Sequence, residues 1–132
     1  MSSAPIKRVL IISDDQWLRA GLRAELRERG YDAVGARDVP EALASGRPDP
    51  DRGPVALILV DQEALGSEIG AGMLTRVQAR LGSPAVVLIA PGNRQAAEGD
   101  WATVLRRPLT IGEIADHVQR AMPEARAAGP LD

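Results

Sequence analysis

Three charged residues of this sequence each follow an apolar segment: Asp14, Asp61 and Arg107. A carboxylate can attack a phosphoryl donor as a nucleophile and form an aspartyl phosphate. Because phosphoryl transfer depends mostly on positioning and charge neutralisation, such a nucleophile needs a divalent cation and a cationic side chain close to it. We therefore take Asp61 as the candidate phosphoacceptor, Asp14 as a candidate metal ligand, and Arg107 as the candidate clamp for the phosphoryl group.

Mg²⁺ is the predicted cofactor of this group of residues. Mg²⁺ is held by hard oxygen ligands, and Asp14 and Asp61 supply two carboxylates. The backbone carbonyl of Glu63, two residues after Asp61, would complete a ligand set otherwise filled by water. A second interpretation stays open, in which Arg107 forms an ion pair with both carboxylates and takes the place of the metal.

Parallel strands are the elements that must bring these residues together. Apolar runs separated by helical patterns are typical of buried parallel strands, whose carboxyl ends share one edge of the sheet. Ligands bind at that edge in open α/β sheets. Five such strands alternate with five helical segments in the sequence. The pattern predicts an α/β fold of the doubly wound, flavodoxin-like type, with a five-stranded parallel sheet and right-handed crossovers.

The helical segments differ in how clearly they are marked. The first carries Leu18, Leu22 and Leu26 on one face, is capped by Asp14 or Asp15, and ends at Gly30. The last begins with the capping-box pattern Thr110-Ile111-Gly112-Glu113 and carries Ile114, Val118 and Met122. A glycine-rich loop is predicted from Gly66 to Gly72. A short helix is predicted around Arg94 to Glu98, and an exposed loop from Ser45 to Pro54.

Composition limits the class of protein. The 132 residues are 45% hydrophobic, which predicts one domain with a core over about 7–122 and a flexible tail over 123–132. A net charge of −2 with interspersed signs argues against nucleic acid or an anionic membrane as partners. No cysteine is present, and no apolar run approaches the roughly 20 residues of a membrane helix. These features predict a cytoplasmic protein.

The chain resembles the response-regulator receiver domain of bacterial two-component signalling. The resemblance covers nearly the whole chain and rests on Asp14-Asp15 after the first strand, Asp61 after the third, and Arg107-Pro108 after the fifth. Receivers carry an acidic pair, an acceptor aspartate and a Lys-Pro, usually with a cis peptide, at these places. The resemblance implies a signalling module and no enzyme. Its implied partners are a histidine kinase or phosphotransferase and an effector protein.

The sequence also departs from the receiver pattern. Ser13 falls at the first acid of the pair, and the family's Thr or Ser after the fourth strand falls on Ile89 or Ala90. Neither side chain can donate a hydrogen bond to a phosphoryl oxygen. Val104 occupies the place of a switch Tyr or Phe, and Arg107 replaces the lysine with a planar fork. The resemblance is therefore to a divergent receiver or a pseudo-receiver.

Two functions remain open at this point. The first is a stand-alone receiver in a phosphorelay, which accepts a phosphoryl group on Asp61 and signals through protein contact. The alternative is a pseudo-receiver that binds a protein partner without phosphorylation. A nucleotide-using enzyme is disfavoured because the first strand-to-helix turn has no glycine-rich fingerprint or P-loop.

Two surfaces of the predicted fold are candidates for protein contact. In receivers the fourth helix, fifth strand and fifth helix form the usual dimer face, which here implies a homodimer. Arg19, Arg23 and Arg27 recur every fourth residue on the first helix. We interpret them as a solvated face, with a partner-docking surface as the alternative.

Overall fold

The computed structural model describes residues 7–45, 54–66 and 68–122, and its strands form one parallel sheet in the order β2-β1-β3-β4-β5. The strands are β1 (Arg8–Ile12), β2 (Asp32–Ala36), β3 (Val55–Asp61), β4 (Ala85–Ala90) and β5 (Thr103–Arg106). The helices are α1 (Gln16–Glu28), α2 (Val39–Ser45), α3 (Gln62–Leu65), α4 (Glu68–Arg80) and α5 (Ile111–Ala121). The predicted α/β fold with a five-stranded parallel sheet and five helices is confirmed. Among these helices, none is long and apolar enough to cross a membrane.

The register of the strands brings their carboxyl ends to one edge. Ile12 of β1 pairs with Val60 of β3, and Asp61 pairs with Ile89 of β4. At the next pair of strands, the backbone N–H of Arg107 donates to the carbonyl of Ala90 at 3.0 Å. The residues that follow β1, β3 and β5 therefore lie beside one another.

Each face of the sheet is covered by its own helices because successive strand residues point to opposite sides. In β3, Leu57 and Leu59 belong to one buried cluster, while Ile58 and Val60 belong to the other. The first cluster includes the inner faces of α1 and α5, and the second includes those of α2 and α4. The apolar positions predicted for α1 and α5 are all buried: Leu18, Leu22, Leu26, Ile114, Val118 and Met122.

The helix ends follow the capping signals of the sequence. Asp15 is the N-cap of α1, and its carboxylate accepts from the backbone N–H groups of Trp17 and Leu18. This choice leaves the Asp14 side chain exposed and outside the cap. Gly30, with φ of 97°, follows α1, and Thr110 and Glu113 form the complete capping box of α5.

The predicted helix around Arg94 to Glu98 is wrong, since residues 91–102 contain no helix. Side chains satisfy part of this backbone instead. The Gln62 side chain donates to the carbonyl of Gln95 at 3.1 Å and accepts from the N–H of Ala97 at 2.9 Å. The indole of Trp101 donates to the carbonyl of Ala97 at 2.7 Å. The predicted homodimer face consequently lacks its helix before β5.

The predicted glycine-rich loop from Gly66 to Gly72 is also wrong over most of its length. Helix α4 begins at Glu68, so Gly70 and Gly72 are helical. A Cβ atom at Gly70 would collide with the carbonyl oxygen of Leu65. This glycine therefore allows α3 and α4 to approach closely. Most of the predicted Ser45–Pro54 loop and the predicted tail over 123–132 lie outside the described residues.

We expect Leu22→Ala to destabilise the protein by about 2–5 kcal/mol, because it removes a side chain that is 0% exposed between α1 and the sheet. Chemical denaturation followed by circular dichroism measures this change in the free energy of unfolding. The matched control is Trp17→Ala on the same helix, where the side chain is 87% exposed and the expected change is within about 0.5 kcal/mol. Equal losses in the two variants would contradict the described packing of α1.

Candidate functional site

Asp61 lies at the centre of the candidate site, at the carboxyl end of β3. Its side chain is only 3% exposed, although it is the last residue of its strand. It also caps α3, because its Oδ1 accepts from the backbone N–H of Glu63 at 3.3 Å. A buried carboxylate is costly unless donors surround it, so the neighbouring side chains decide what this group does.

Arg107 provides the strongest of these donors. Its Nη2 donates to Oδ2 of Asp61 at 2.7 Å, and its side chain is 35% exposed. The peptide bond between Arg107 and Pro108 is cis, as receivers usually have it at this place. The structure thus brings the predicted phosphoacceptor and the predicted clamp into direct contact, as a partly buried ion pair.

Ser13 provides a second donor to the same oxygen. Its buried hydroxyl donates to Oδ2 of Asp61 at 3.2 Å and accepts from the backbone N–H of Asp15 at 3.1 Å. At the position where receivers have their first acid, this chain has a neutral hydrogen-bond donor. Ser13 therefore stabilises the Asp61 carboxylate rather than adding negative charge to a metal site.

The remaining acids do not gather around Asp61. Asp14 is exposed, and the Glu63 carboxylate forms an ion pair with Arg94. Within the described part of the chain, no group of three or more His, Cys, Asp or Glu side chains could hold a metal ion. Among the described acids, only the carboxylates of Asp14 and Asp61 influence each other here, and Arg107 already neutralises that of Asp61. Mg²⁺ is usually held by one or two carboxylates and several waters, so Asp14, Asp61 and the Glu63 backbone carbonyl would hold it only with Arg107 displaced from Oδ2 of Asp61, where the guanidinium now neutralises the carboxylate.

Burial raises the pKa of Asp61 above its ordinary value, and this is the largest influence on the group. The positive charge of Arg107 and the hydrogen bonds from Ser13 and Arg107 act in the opposite direction. The negative charge of Asp14 raises the pKa further. The effect of burial on this pKa is larger than the opposing effects of Arg107 and Ser13. The ionised form of Asp61 is therefore less favourable in the folded protein than it is in water.

The residues predicted to stand at the receiver hydroxyl and switch-aromatic positions have apolar side chains in the structure. Ile89 and Ala90 are both buried, and they belong to the clusters on opposite faces of the sheet. Val104 on β5 is 38% exposed. None of the three side chains can pass a change at Asp61 to the surface by a hydrogen bond.

Sequence reasoning missed the cross-link between α3 and the segment after β4. Gln62 and Glu63 follow Asp61 directly, and they bind that segment through the Gln62 amide and the Glu63–Arg94 ion pair. A cavity of about 660 Å³ lies between α3, the start of α4 and this segment. The sequence did contain a signal that this segment is irregular, because the pair Pro91-Gly92 disfavours a helix directly after β4.

Solved structures of receiver domains share this fold. A receiver domain protein of Methanospirillum hungatei JF-1 superposes with a TM-score of 0.68 at 18% identity, covering 94% of this chain and 99% of that one. The receiver domain of the hybrid histidine kinase CckA gives 0.64 at 27% identity, covering 86% and 96%. A Burkholderia pseudomallei response regulator, solved with a phosphorylated aspartic acid, a calcium ion and citrate, gives 0.65 at 20% identity, covering 95% and 76%.

The chain matches no protein-family model, and no curated protein matches it. The resemblance to receivers is therefore confirmed by structure: the chain has the receiver-domain fold, and many receiver domains superpose on it over nearly its full length.

We expect Asp61→Asn to become more stable relative to wild type as pH rises from about 4 to 7. Folding raises the pKa of Asp61, so the protonated side chain favours the folded wild-type protein below the unfolded-state pKa. This contribution to the free energy of unfolding is lost as pH rises through the folded-state pKa, whereas asparagine does not titrate. Urea denaturation at several pH values measures the difference in unfolding free energy. The exposed Asp100→Asn is the control and should run parallel to wild type. A pH-independent difference for Asp61→Asn would reject this account.

We expect Arg107→Ala to cost about 1–3 kcal/mol of unfolding free energy, because it leaves a buried acceptor without its main donor. In the Asp61→Asn background the same change should cost less, since the unpaired charge is gone. A double-mutant cycle by chemical denaturation measures this coupling. Additive losses would show that the two side chains do not interact as described.

Proposed function

We propose that this chain is a phosphorylation-independent pseudo-receiver, a signalling module that works by binding another protein. One observation carries the proposal: the Asp61 carboxylate is buried, and its Oδ2 is already held by Arg107 at 2.7 Å and Ser13 at 3.2 Å. These contacts stabilise the unmodified aspartate. They make the site a structural ion pair at the sheet edge.

Phosphoryl transfer would need more groups than this site supplies. The charge that develops on the transferred oxygens must be neutralised, and the oxygens must be positioned. Here the first acid is Ser13, the hydroxyl position is apolar, and Arg107 is the cation that the site places on Asp61. Phosphorylation would place a larger and more highly charged group at a side chain that is only 3% exposed and whose Oδ2 Arg107 and Ser13 already hold, so modification of Asp61 works against the folded site.

A second candidate is the phosphoacceptor itself, and the position of Asp61 favours it. Asp61 ends β3 beside Arg107 in a receiver fold, and Oδ1 carries only the longer 3.3 Å contact from Glu63. In this function Oδ1 attacks the phosphorus atom, the bond to the donor's leaving group breaks, and Arg107 clamps the transferred oxygens. The partners would be a histidine kinase or phosphotransferase and an effector protein, with Mg²⁺ bound weakly through Asp14 and Asp61.

Intact-mass measurement after incubation with Mg²⁺ and acetyl phosphate separates these functions. We expect no adduct on wild-type protein, because the neutralising groups are incomplete. A gain of one phosphate on wild type that is absent from Asp61→Asn would establish the phosphoacceptor and reject the pseudo-receiver. An equal adduct on both proteins would exclude Asp61 as its site and leave the proposal standing.

A restoring variant provides the positive control for that assay. The triple change Ser13→Asp, Arg107→Lys and Ala90→Thr supplies the acid, the ammonium and the hydroxyl that receivers carry. Once circular dichroism confirms its fold, we expect this variant to gain the adduct that wild type lacks. Amide NMR with Mg²⁺ and beryllofluoride should show shifts around Asp61 in the variant and none in wild type.

A further inference from the structure

The outer face of α1 presents an apolar ridge to solvent. Trp17, Ala20 and Ala24 recur at three- and four-residue spacing, so they share the face opposite the buried leucines. All three are exposed, and Trp17 is 87% exposed. Among the described residues, Val104 is the only other large hydrophobic side chain that is exposed.

The shapes of these side chains suit contact with another helix. Small residues allow a second helix to pack closely, and helices in proteins approach to about 8–10 Å when their side chains permit it. A tryptophan adds a large, rigid apolar surface, and residues of this type dominate the energetics of many interfaces. Helix α1 has 13 residues and so offers a ridge about 20 Å long.

A row of arginines borders this ridge on the side of β2. Arg19 donates to the carbonyl of Ser13 at 2.6 Å, and Arg27 donates to the carbonyl of Ala33 at 3.1 Å. Arg23 lies between them, with its Cδ 3.4 Å from the place where a Cβ on Gly35 would stand. The Nε of Arg23 is buried and has no hydrogen-bond partner.

These three arginines differ from five others of the chain in their charge partners, although Arg80 and Arg106 resemble them in donating to backbone carbonyls. Within 7–45, 54–66 and 68–122, none of the three forms an ion pair with a carboxylate. Five other arginines do: Arg8, Arg29, Arg37, Arg94 and Arg107. The row therefore concentrates positive charge over about 12 Å of helix in a chain whose net charge is −2.

We propose that the outer face of α1, formed by Trp17, Ala20 and Ala24 with Arg23 and Arg27 at its border, binds an acidic amphipathic helix of a partner protein. The partner's apolar ridge packs on Trp17 and the two alanines, and its carboxylates pair with the arginines. This inference rests on the proposed function, because it names the surface through which a phosphorylation-independent module works.

The positive charge of the arginine row favours an acidic helix over a second copy of the chain as the partner on this face. An antiparallel two-fold contact through this face would place one arginine row against its own copy. Like charges brought together in this way are unfavourable. A lipid surface or nucleic acid is a less suitable partner, because anionic partners of that kind attract proteins with an excess of positive charge. This chain has 16 basic and 18 acidic residues.

A pair of designed peptides tests the proposal on the full chain. The first is a stapled helix of about 20 residues with a leucine ridge flanked by glutamates, and the second has lysines in place of the glutamates. We expect the acidic peptide to bind with micromolar affinity in calorimetry and to shift amide NMR signals along α1. We expect the lysine peptide to bind at least tenfold more weakly.

Substitutions on the face provide the matched comparison. Trp17→Ala and the double change Arg23→Glu, Arg27→Glu should each weaken binding of the acidic peptide at least tenfold. Arg76→Glu, a charge reversal on an exposed position of α4, should leave it within twofold. Thermal unfolding of each variant shows whether the fold is retained, and Arg27→Ala replaces the double change if that variant unfolds.

Several outcomes would overturn the proposal: no binding of the acidic peptide at millimolar concentration, equal binding of both peptides, shifts that map away from α1, or α1 shifts that depend on protein concentration alone. Binding to vesicles of phosphatidylserine through the same arginines, without binding to the peptide, would assign the face to lipid instead. A different result would reject the pseudo-receiver function while keeping the α1 surface: the acidic peptide would bind at α1, but its affinity would change when beryllofluoride is added.

Discussion

The contact between the buried Asp61 carboxylate and the Arg107 guanidinium is the constraint on which the rest of the site depends. A carboxylate that is 3% exposed must have donors, and the parallel register of β3, β4 and β5 brings Arg107 to within 2.7 Å of it. Ser13 adds a neutral donor from the end of β1. Burial still raises the pKa of Asp61, so the pair is held by the fold around it.

This arrangement changes what a receiver-type fold can do. In a phosphoacceptor site the acids hold a cation and the aspartate stays available for attack. Here Ser13, which stands at the position predicted for the first acid, donates to Asp61, and the arginine neutralises the aspartate itself. The residues predicted for the receiver hydroxyl position, Ile89 or Ala90, are both buried and apolar, so neither can donate a hydrogen bond at this edge of the sheet.

The segment after β4 shows how the fold holds an irregular connection. Receiver-like patterning predicts a helix there, but residues 91–102 have none. The Gln62 amide and the Trp101 indole bind backbone groups of this segment, and the Arg106 guanidinium donates to the carbonyls of Pro91 and Arg94 at 3.2 and 3.0 Å. Backbone groups outside regular structure need other partners, and side chains of Gln62, Arg106 and the segment's own Trp101 supply them here.

The sequence by itself determined the strands, the buried faces of α1 and α5, their caps, and the common edge of Asp61 and Arg107, because periodicity and capping are local signals. Only the tertiary structure decided that Asp15 caps while Asp14 stays exposed, that Gly70 belongs to a helix, and that residues 91–102 form none. The Asp61–Arg107 contact joins side chains 46 residues apart, and the Gln62–Gln95 contact spans 33. Contacts of that range depend on how whole elements pack, which local patterns do not encode.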